Sequence, residues 1–456
     1  MAGGTDPKTG KREWVYAASV KGRFQRLHRA SGIILNTLLF VTPWIPIGGH
    51  PAVQLDLTSR RMFLLGATFT PRDTIFLVLM LLGAAFTLFF ATALFGRLWC
   101  GYACPQTVFL EEFIRPIERF WEGDRGKRMA LDKKGWTVAK VARKVGKMAS
   151  YAAVAGIIGM AIVSYFAGPV PLWTGTASAG AYIGVLAFAV PLFIDFAWFR
   201  EQFCNYLCPY ARFQGALTDD HSVVIEYDTP RGEPRLGGKK RKLALAIGED
   251  TGSCIDCNKC VAVCPQGIDI RDGFQLECIN CARCVDACTI VMEKKGEESL
   301  VRYTTIAETT GKGQRWLRPR TVGYTALLTG LATAFLFLAA NRHGIEATVN
   351  RAPGTLFQVD EDGWTRNTFL LNISNNQSDT ATNVAVTLDG IDGAELIVPP
   401  ITVTAANSVN VPLVVRVPPG MDAARTTPIQ IKVRTELDTV IVDTTFKSGH
   451  SLTLEG

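Results

Sequence analysis

Apolar residues are concentrated in five stretches of the 456-residue chain, and charged segments separate these stretches. An α-helix needs about 20 predominantly apolar residues to cross the hydrocarbon core of a bilayer. Four stretches approach that length, and the first is shorter unless flanking residues extend it. They cover residues 31–47, 74–95, 150–168, 180–199 and 322–340. Helices buried in soluble domains seldom show such runs, so we predict five transmembrane helices.

The distribution of Lys and Arg predicts the orientation of these helices, because basic loops are retained on the cytoplasmic side of a membrane. Seven basic residues lie in 1–30, three in 48–73, twelve in 96–149, none in 169–179 and eighteen in 200–321. We therefore place the amino terminus and both longer basic segments in the cytoplasm, and the tail outside. The net charge of +7 thus mainly reflects topology and indicates no nucleic-acid partner.

The tail from residue 342 has a different pattern, with short alternating strands rich in Thr and Val, as at 384–388 and 408–417. Turn residues separate these runs every 8 to 12 residues. This favours an immunoglobulin-like β-sandwich, and the absence of cysteine from the tail excludes the Cys-Trp-Cys core of antibody domains. We find no catalytic constellation in it and expect a docking or structural role.

Eight cysteines fall in two runs with identical spacing, in which two, two and three residues separate successive cysteines. This spacing is typical of two 4Fe-4S clusters, where the fourth cysteine of each run binds the other cluster. The predicted ligand sets are Cys254, Cys257, Cys260 and Cys288 for one cluster, and Cys278, Cys281, Cys284 and Cys264 for the other. Structural zinc and disulfides are the alternatives, but neither explains the doubled spacing.

A second set of cysteines lies at the ends of the second and fourth apolar stretches, as repeated Cys-x3-Cys-Pro units. Its members are Cys100, Cys104, Cys204 and Cys208. On a helix continuing from each span, the two thiols of a pair would face one side, and the two pairs could converge beside the eight-cysteine insert. Three interpretations remain open: a transient copper site, a reversible dithiol relay, and inert packed cysteines.

Other redox cofactors have little support in the sequence. None of the five histidines lies inside a predicted span, which disfavours a membrane haem with paired His ligands. No phosphate-binding glycine loop or dinucleotide fingerprint is present, so electrons must arrive from a partner. Within the fourth span, Asp195 lies about one turn from Arg200, and we predict an interfacial ion pair between them.

Together, the repeated Cys-x3-Cys-Pro units, the segment 200–214, the twin-cluster insert, the fifth span and the outer tail resemble the FixG/CcoG/RdxA family. The resemblance covers nearly the whole chain. It implies a cupric reductase that supplies Cu(I) for assembly of cbb-type cytochrome c oxidase, with copper as substrate or transient ligand. A quinol-linked electron conduit to a periplasmic reductase and a non-catalytic assembly scaffold are the alternatives.

The resulting fold class is a multi-domain membrane protein: a bundle of five transmembrane helices, a ferredoxin-like twin-cluster insert and an immunoglobulin-like β-sandwich. The expected boundaries are a cytoplasmic segment at 1–30, a membrane domain at 31–218, the cytoplasmic ferredoxin-like domain at 219–320, a fifth helix at 321–341 and a periplasmic domain at 342–456.

We expect a multi-pass protein of the bacterial inner membrane. Its expected partners are membrane lipid, an electron donor, copper chaperones or oxidase assembly factors, and a second copy of the chain.

Overall fold

The computed structural model describes residues 14–69, 73–341, 345–354, 356–375, 382–404, 408–419, 426–435 and 439–448. The first 13 residues of the predicted amino-terminal segment lie outside the described residues. Contacts divide the chain into two compact units. One comprises Met1–Trp44 and Val78–Thr333, and the other comprises Ile45–Leu77 and Ala334–Gly456. The divisions at Leu77/Val78 and Thr333/Ala334 fall inside two long apolar helices, Thr74–Phe95 and Pro319–Ala340. Each of these helices therefore contributes residues to both units.

Four helices in the described part of the chain are long and apolar enough to cross a membrane. They are Thr74–Phe95, Val138–Ala167, Ala179–Phe199 and Pro319–Ala340. Val138–Ala167 and Ala179–Phe199, the third and fourth predicted spans, pack closely against each other. A Cβ at Gly159 would lie 2.9 Å from the carbonyl oxygen of Val185. Small residues at such a contact let two membrane helices approach each other.

The first predicted span corresponds to the helix Arg23–Val41, which a 3-10 turn at Thr42–Trp44 follows. Its first two turns carry three arginines and a histidine, which leaves a short apolar part. Ile33, Ile34 and Leu38 on that part are each more than half exposed. The second to fifth predicted spans therefore have helices of sufficient length and apolar composition, and the first span stays a prediction.

Short helices connect the long ones on the side of the cysteine motifs. After the second predicted span they are Leu98–Tyr102, Pro105–Phe109, Arg115–Glu122 and Arg125–Lys133, with a π-helical turn at Leu110–Ile114. At the ends away from the cysteine motifs, Pro169–Thr174 joins the third and fourth spans. The fourth span ends in π-helical turns at Asp195–Phe199 and Phe203–Leu207, before the helix Pro209–Leu217.

The eight-cysteine insert is closed by two antiparallel strands, Val224–Tyr227 and Val301–Thr304. Between them lie the helices Thr229–Gly232, Gly238–Ala246, Lys259–Ala262 and Arg283–Met292 and the 3-10 turns Ile270–Asp272 and Glu293–Lys295; Ile306–Thr309 follows the second strand. An apolar core that includes Ile225, Ile268 and Leu300 packs around the cysteine side chains. The strand pair therefore returns the chain to its point of entry, next to the membrane helices' ends.

The tail forms two antiparallel sheets. The first has the order Glu395–Ile397, Ser408–Val417, Thr365–Asn375, Ile345–Arg351, and Gln358–Val359 also pairs with Thr365–Asn375. The second has the order Ile401–Val403, Thr382–Asp389, Thr426–Arg434, Thr439–Lys447. Alternate residues of both sheets contribute to one apolar core, which contains Phe369, Leu413 and Phe446. The period-two pattern of buried positions is the one predicted from sequence.

The unit that contains the tail also contains short strands from the loop before the second span. They are Pro46–Ile47, His50–Pro51, Val53–Asp56, Arg61–Leu64 and Ala67–Phe69.

The alternation of basic segments predicts the sidedness of these parts. Reporter proteins fused after residue 300 should be active only as cytoplasmic reporters, and fusions after residue 345 only as exported ones, because eighteen Lys and Arg precede the last span in residues 200–321. Paired alkaline phosphatase and fluorescent-protein fusions at each site would measure this. An exported reporter at residue 300 would reverse the orientation of the whole chain.

Candidate iron-sulfur and thiol sites

The structure brings the eight cysteines of the insert together around two cavities. Cys254, Cys257, Cys260 and Cys288 line a cavity of about 400 Å³. Cys264, Cys278, Cys281 and Cys284 line a second cavity of about 350 Å³, which Cys260 also reaches. The last cysteine of each run thus lies with the first three cysteines of the other run, as the exchange of fourth ligands requires.

The backbone has the same conformation around the second cysteine of each run, Cys257 and Cys281. Asp256 and Asn258 flank Cys257 with φ of 52° and 56°, and Asn280 and Ala282 flank Cys281 with φ of 53° and 57°. Left-handed conformations of this kind cost free energy for residues other than glycine, although Asn and Asp tolerate them best. The repeated left-handed turns lead the chain around the first three cysteines of each run, and in the second run the backbone N–H groups of Asn280 and Arg283 donate to Cys278 and Cys281.

Burial raises the pKa of Cys260, Cys278 and Cys281 to about 12. A bound metal supplies the positive charge that turns such thiols into thiolates near neutral pH. Four thiols around each cavity therefore fit a 4Fe-4S cluster, which would supply a one-electron carrier at each place.

The second cysteine set, which we call the thiol quartet (Cys100, Cys104, Cys204 and Cys208), does not lie on continuous helices. The prediction that each pair extends its span helix is wrong. In the first repeat, Gly96, with φ of 58°, ends the span helix before Cys100. Each Cys-Pro step then interrupts the helix again, because the residue before proline avoids the helical conformation. Cys104 and Cys208 consequently have extended backbone, and each precedes a helix that begins with its proline.

Hydrogen bonds between the two repeats bring the quartet together. The Gln214 amide donates to the Cys100 sulfur (3.3 Å), and the Arg97 guanidinium donates to the Ala211 carbonyl (2.6 Å). The Gln106 amide, two residues after Cys104, donates to the Arg200 carbonyl (3.1 Å).

The thiols are correspondingly close to one another. Burial, followed by repulsion from the other three thiols, raises the pKa of Cys204. The convergence predicted for the two pairs is therefore present in the structure.

The predicted ion pair between Asp195 and Arg200 is also wrong. Arg200 lies 2.7 Å from Glu118, on the connecting helix Arg115–Glu122. Asp195 instead accepts a hydrogen bond from the Gln106 amide (2.7 Å). Asp195 thus belongs to the contacts that hold the two repeats together.

The quartet packs directly against the second cluster cavity. Cys100 is 8% exposed and forms an apolar cluster with Ile279 and Cys281. A Cβ at Gly101 would lie 2.6 Å from the Ile279 carbonyl oxygen and 3.1 Å from the Cys281 Cα. Because only glycine permits this approach, the helix carrying Cys100 touches the backbone that carries Cys281.

A buried ion-pair network joins the same elements, and sequence patterns did not reveal it. Glu111, on the π-helical turn after Cys104, pairs with Arg115 (2.7 Å) and with Arg283 (2.7 Å), which lies between Cys281 and Cys284. Arg115 also pairs with Glu201 (2.8 Å).

The charges of this network shift the pKa of its central carboxylate. Burial alone would raise the pKa of Glu111, but Arg283 and Arg115 lower it to about 2. The only sequence signal was the spacing of four residues between Glu111 and Arg115.

A groove of about 960 Å³ opens beside the quartet. Its walls include Cys204, Tyr206 and the charged residues Arg97, Arg212 and Glu277. Glu277 directly precedes Cys278 of the second cavity. The groove therefore gives small molecules access to a thiol of the quartet, next to the insert.

Three parts of the chain match described protein families. Residues 199–306 match a 4Fe-4S dicluster domain, residues 76–122 a 4Fe-4S binding domain, and residues 335–448 the IG-like fold at the C-terminus of FixG. The family matches thus cover both Cys-x3-Cys-Pro units, the insert and the tail.

Relatives match most of the chain. The nitrogen fixation protein FixG of Rhizobium meliloti is 34% identical over 428 residues, covering 85% of this chain and 81% of that protein. Proteins RdxB and RdxA of Cereibacter sphaeroides are 38% and 33% identical, and each alignment covers 81% of this chain and 80% or 81% of the relative. A crystal structure of a FixG-related protein from Vibrio parahaemolyticus aligns with 24% of this chain and all of that one, at 20% identity and a TM-score of 0.22.

The exchange of fourth ligands predicts an asymmetric effect of Cys264→Ser. Because Cys264 lines the cavity of Cys278, Cys281 and Cys284, its loss should damage that cluster more than the cluster bound by Cys254 and Cys257. Paramagnetic resonance of the reduced variant would measure this, with Cys288→Ser as the matched variant that should damage the other cluster. Equal loss of both signals in both variants would contradict the assignment.

The buried network predicts unequal roles for two adjacent glutamates. Glu111→Gln removes the negative charge that Arg115 and Arg283 share. Because both arginines are buried, the loss should lower the free energy of unfolding by about 3–5 kcal/mol. The half-buried neighbour Glu112 is the matched control, and Glu112→Gln should cost about 1 kcal/mol or less. Thermal unfolding in detergent would compare their midpoints. Equal midpoints for the two variants would argue against the network.

Proposed function

The chain belongs to the FixG/RdxA family of membrane iron-sulfur electron-transfer proteins, and we propose that it reduces Cu(II) to Cu(I) for the assembly of cbb-type cytochrome c oxidase. The contact of Cys100 and Gly101 with Cys281 is the observation that carries this proposal. It connects the insert, where electrons are held, with thiols that a substrate can reach. Sulfur ligands favour Cu(I) over harder ions, so the quartet is a suitable end point for copper reduction.

The arrangement of cysteines supports a single electron path. Cys260 lines both cavities of the insert, so the two predicted clusters have a common wall. Cys281 lines the second cavity and packs on Cys100. Cys204 then lies on the groove. A one-electron donor would reduce the insert, and Cu(II) in the groove would accept one electron to become Cu(I).

The groove also supports a route for copper. It is lined by Glu277 of the insert, and the distribution of basic residues favours a cytoplasmic insert. Copper would then be received on the cytoplasmic side of the inner membrane, and copper chaperones or oxidase assembly factors would take the product. The immunoglobulin-like tail, predicted to be periplasmic, would dock these factors.

Reoxidation of the reduced protein tests the proposal against its alternatives. Purified protein with reduced clusters should be reoxidised by Cu(II), with Cu(I) formed in proportion, as followed by visible absorbance and a Cu(I)-specific chelator. Reoxidation by quinone but not Cu(II) would instead identify a quinol-linked conduit. Reoxidation by neither would identify an assembly scaffold.

The Gly101 contact gives a variant that removes no ligand. Gly101→Ala would force the Cys100 helix away from the Ile279 carbonyl, since a Cβ there would lie only 2.6 Å from that oxygen. Displacement of this size should slow Cu(II)-dependent reoxidation on the order of tenfold, with the iron content of the insert unchanged. Gly126→Ala is the matched control, because a Cβ at Gly126 meets nothing within 4 Å. A wild-type rate in Gly101→Ala would exclude this contact from the electron path.

A further inference from the structure

The segment 76–122 matches a 4Fe-4S binding domain but contains only two cysteines, Cys100 and Cys104. A cluster held by thiolates takes four cysteine ligands, so this segment cannot complete one alone. The structure places Cys204 and Cys208 of the second repeat beside the first pair. We propose that the thiol quartet binds a third iron-sulfur cluster, resident in the protein and distinct from the two predicted in the insert.

The first support is the mutual proximity of the four thiols. Arg97, three residues before Cys100, donates to the carbonyl of Ala211, three residues after Cys208 (2.6 Å), and it lines one groove with Cys204. Gln106, two residues after Cys104, donates to the Arg200 carbonyl before Cys204 (3.1 Å). These contacts hold the two Cys-x3-Cys-Pro units side by side.

The second support is the set of donors around the sulfurs. The Gln214 side chain donates to the Cys100 sulfur (3.3 Å), and backbone N–H groups of Gln106 and Thr107 donate to Cys104. The Arg97 charge lowers the pKa of Cys100, although burial, the larger effect, raises it to about 11. N–H donors and a nearby cation stabilise the negative charge of cluster thiolates and set the reduction potential.

A cluster in the quartet would place three carriers in succession, with the Cys281–Cys100 contact between the second and the third. Copper would then be reduced at the groove beside Cys204 rather than captured among all four thiols. The inference itself does not require copper to be the substrate, since it concerns only what the quartet binds.

The test is the iron and sulfide content of full-length protein purified without oxygen. Wild type should contain about twelve irons per chain, and the double variant Cys100→Ser with Cys204→Ser about eight, because each 4Fe-4S cluster holds four. A loss of about two irons would still support a cluster, since four cysteines also hold a 2Fe-2S cluster. Ala216→Ser, at an exposed position on the helix after Cys208, is the control and should retain wild-type iron.

Gln214→Leu keeps the test decisive if the double variant fails to fold. It removes the hydrogen bond to Cys100 and should leave iron unchanged while it lowers the potential of one of three separate reduction steps in a redox titration. Equal iron in wild type and the double variant would overturn the inference, as would only two reduction steps in wild type. Cu(I) binding that depends on the quartet, with about eight irons in wild type, would return the site to direct copper binding. None of these outcomes depends on whether Cu(II) reoxidises the protein.

Discussion

The backbone contact between Gly101 and the Ile279–Cys281 segment is the constraint on which the arrangement of redox groups depends. It holds two elements from distant parts of the chain within van der Waals distance. Gly96 makes a second close approach, to the carbonyl of Val223 at the entry to the insert. Side chains at either glycine would separate the insert from the membrane helices. The two glycines therefore determine how near the insert's thiols come to the quartet.

Buried charges complement this contact at the same interface. Burying an ion is costly unless partners compensate it, and here the partners come from different segments: Glu111 follows the first repeat, Glu201 precedes Cys204, and Arg283 lies between cluster ligands. Arg115 joins both glutamates. The compensation is complete only when the two repeats and the insert are together, so the network favours one relative arrangement of all three.

Local sequence patterns predicted the individual helices and cysteine groups, but not the contacts between residues that are distant in sequence. Long apolar runs and the doubled cysteine spacing are properties of contiguous sequence, and so the long helices and the two cysteine groups were predictable. The pairing of Glu111 with Arg283 spans 172 residues, and no periodicity indicates it. The Asp195–Arg200 prediction failed for a related reason: proximity in sequence favoured that pair, but Glu118, from a separate helix, provides the closer charge for Arg200. The prediction of a continuous helix through Cys100 and Cys104 is wrong because Cys104 precedes a proline and has extended backbone.

The exchange of cysteines between runs has a consequence for the order in which the protein is made. The cavity that begins with Cys254 lacks its fourth thiol until Cys288 has left the ribosome, and Cys264 has no complete set until the second run has been made as far as Cys284. The quartet likewise waits from Cys104 until the fourth span has been inserted and Cys208 synthesised. Iron delivered to an incomplete chain would find only partial ligand sets. Complete ligand sets for both cavities therefore exist only in chains synthesised beyond Cys288.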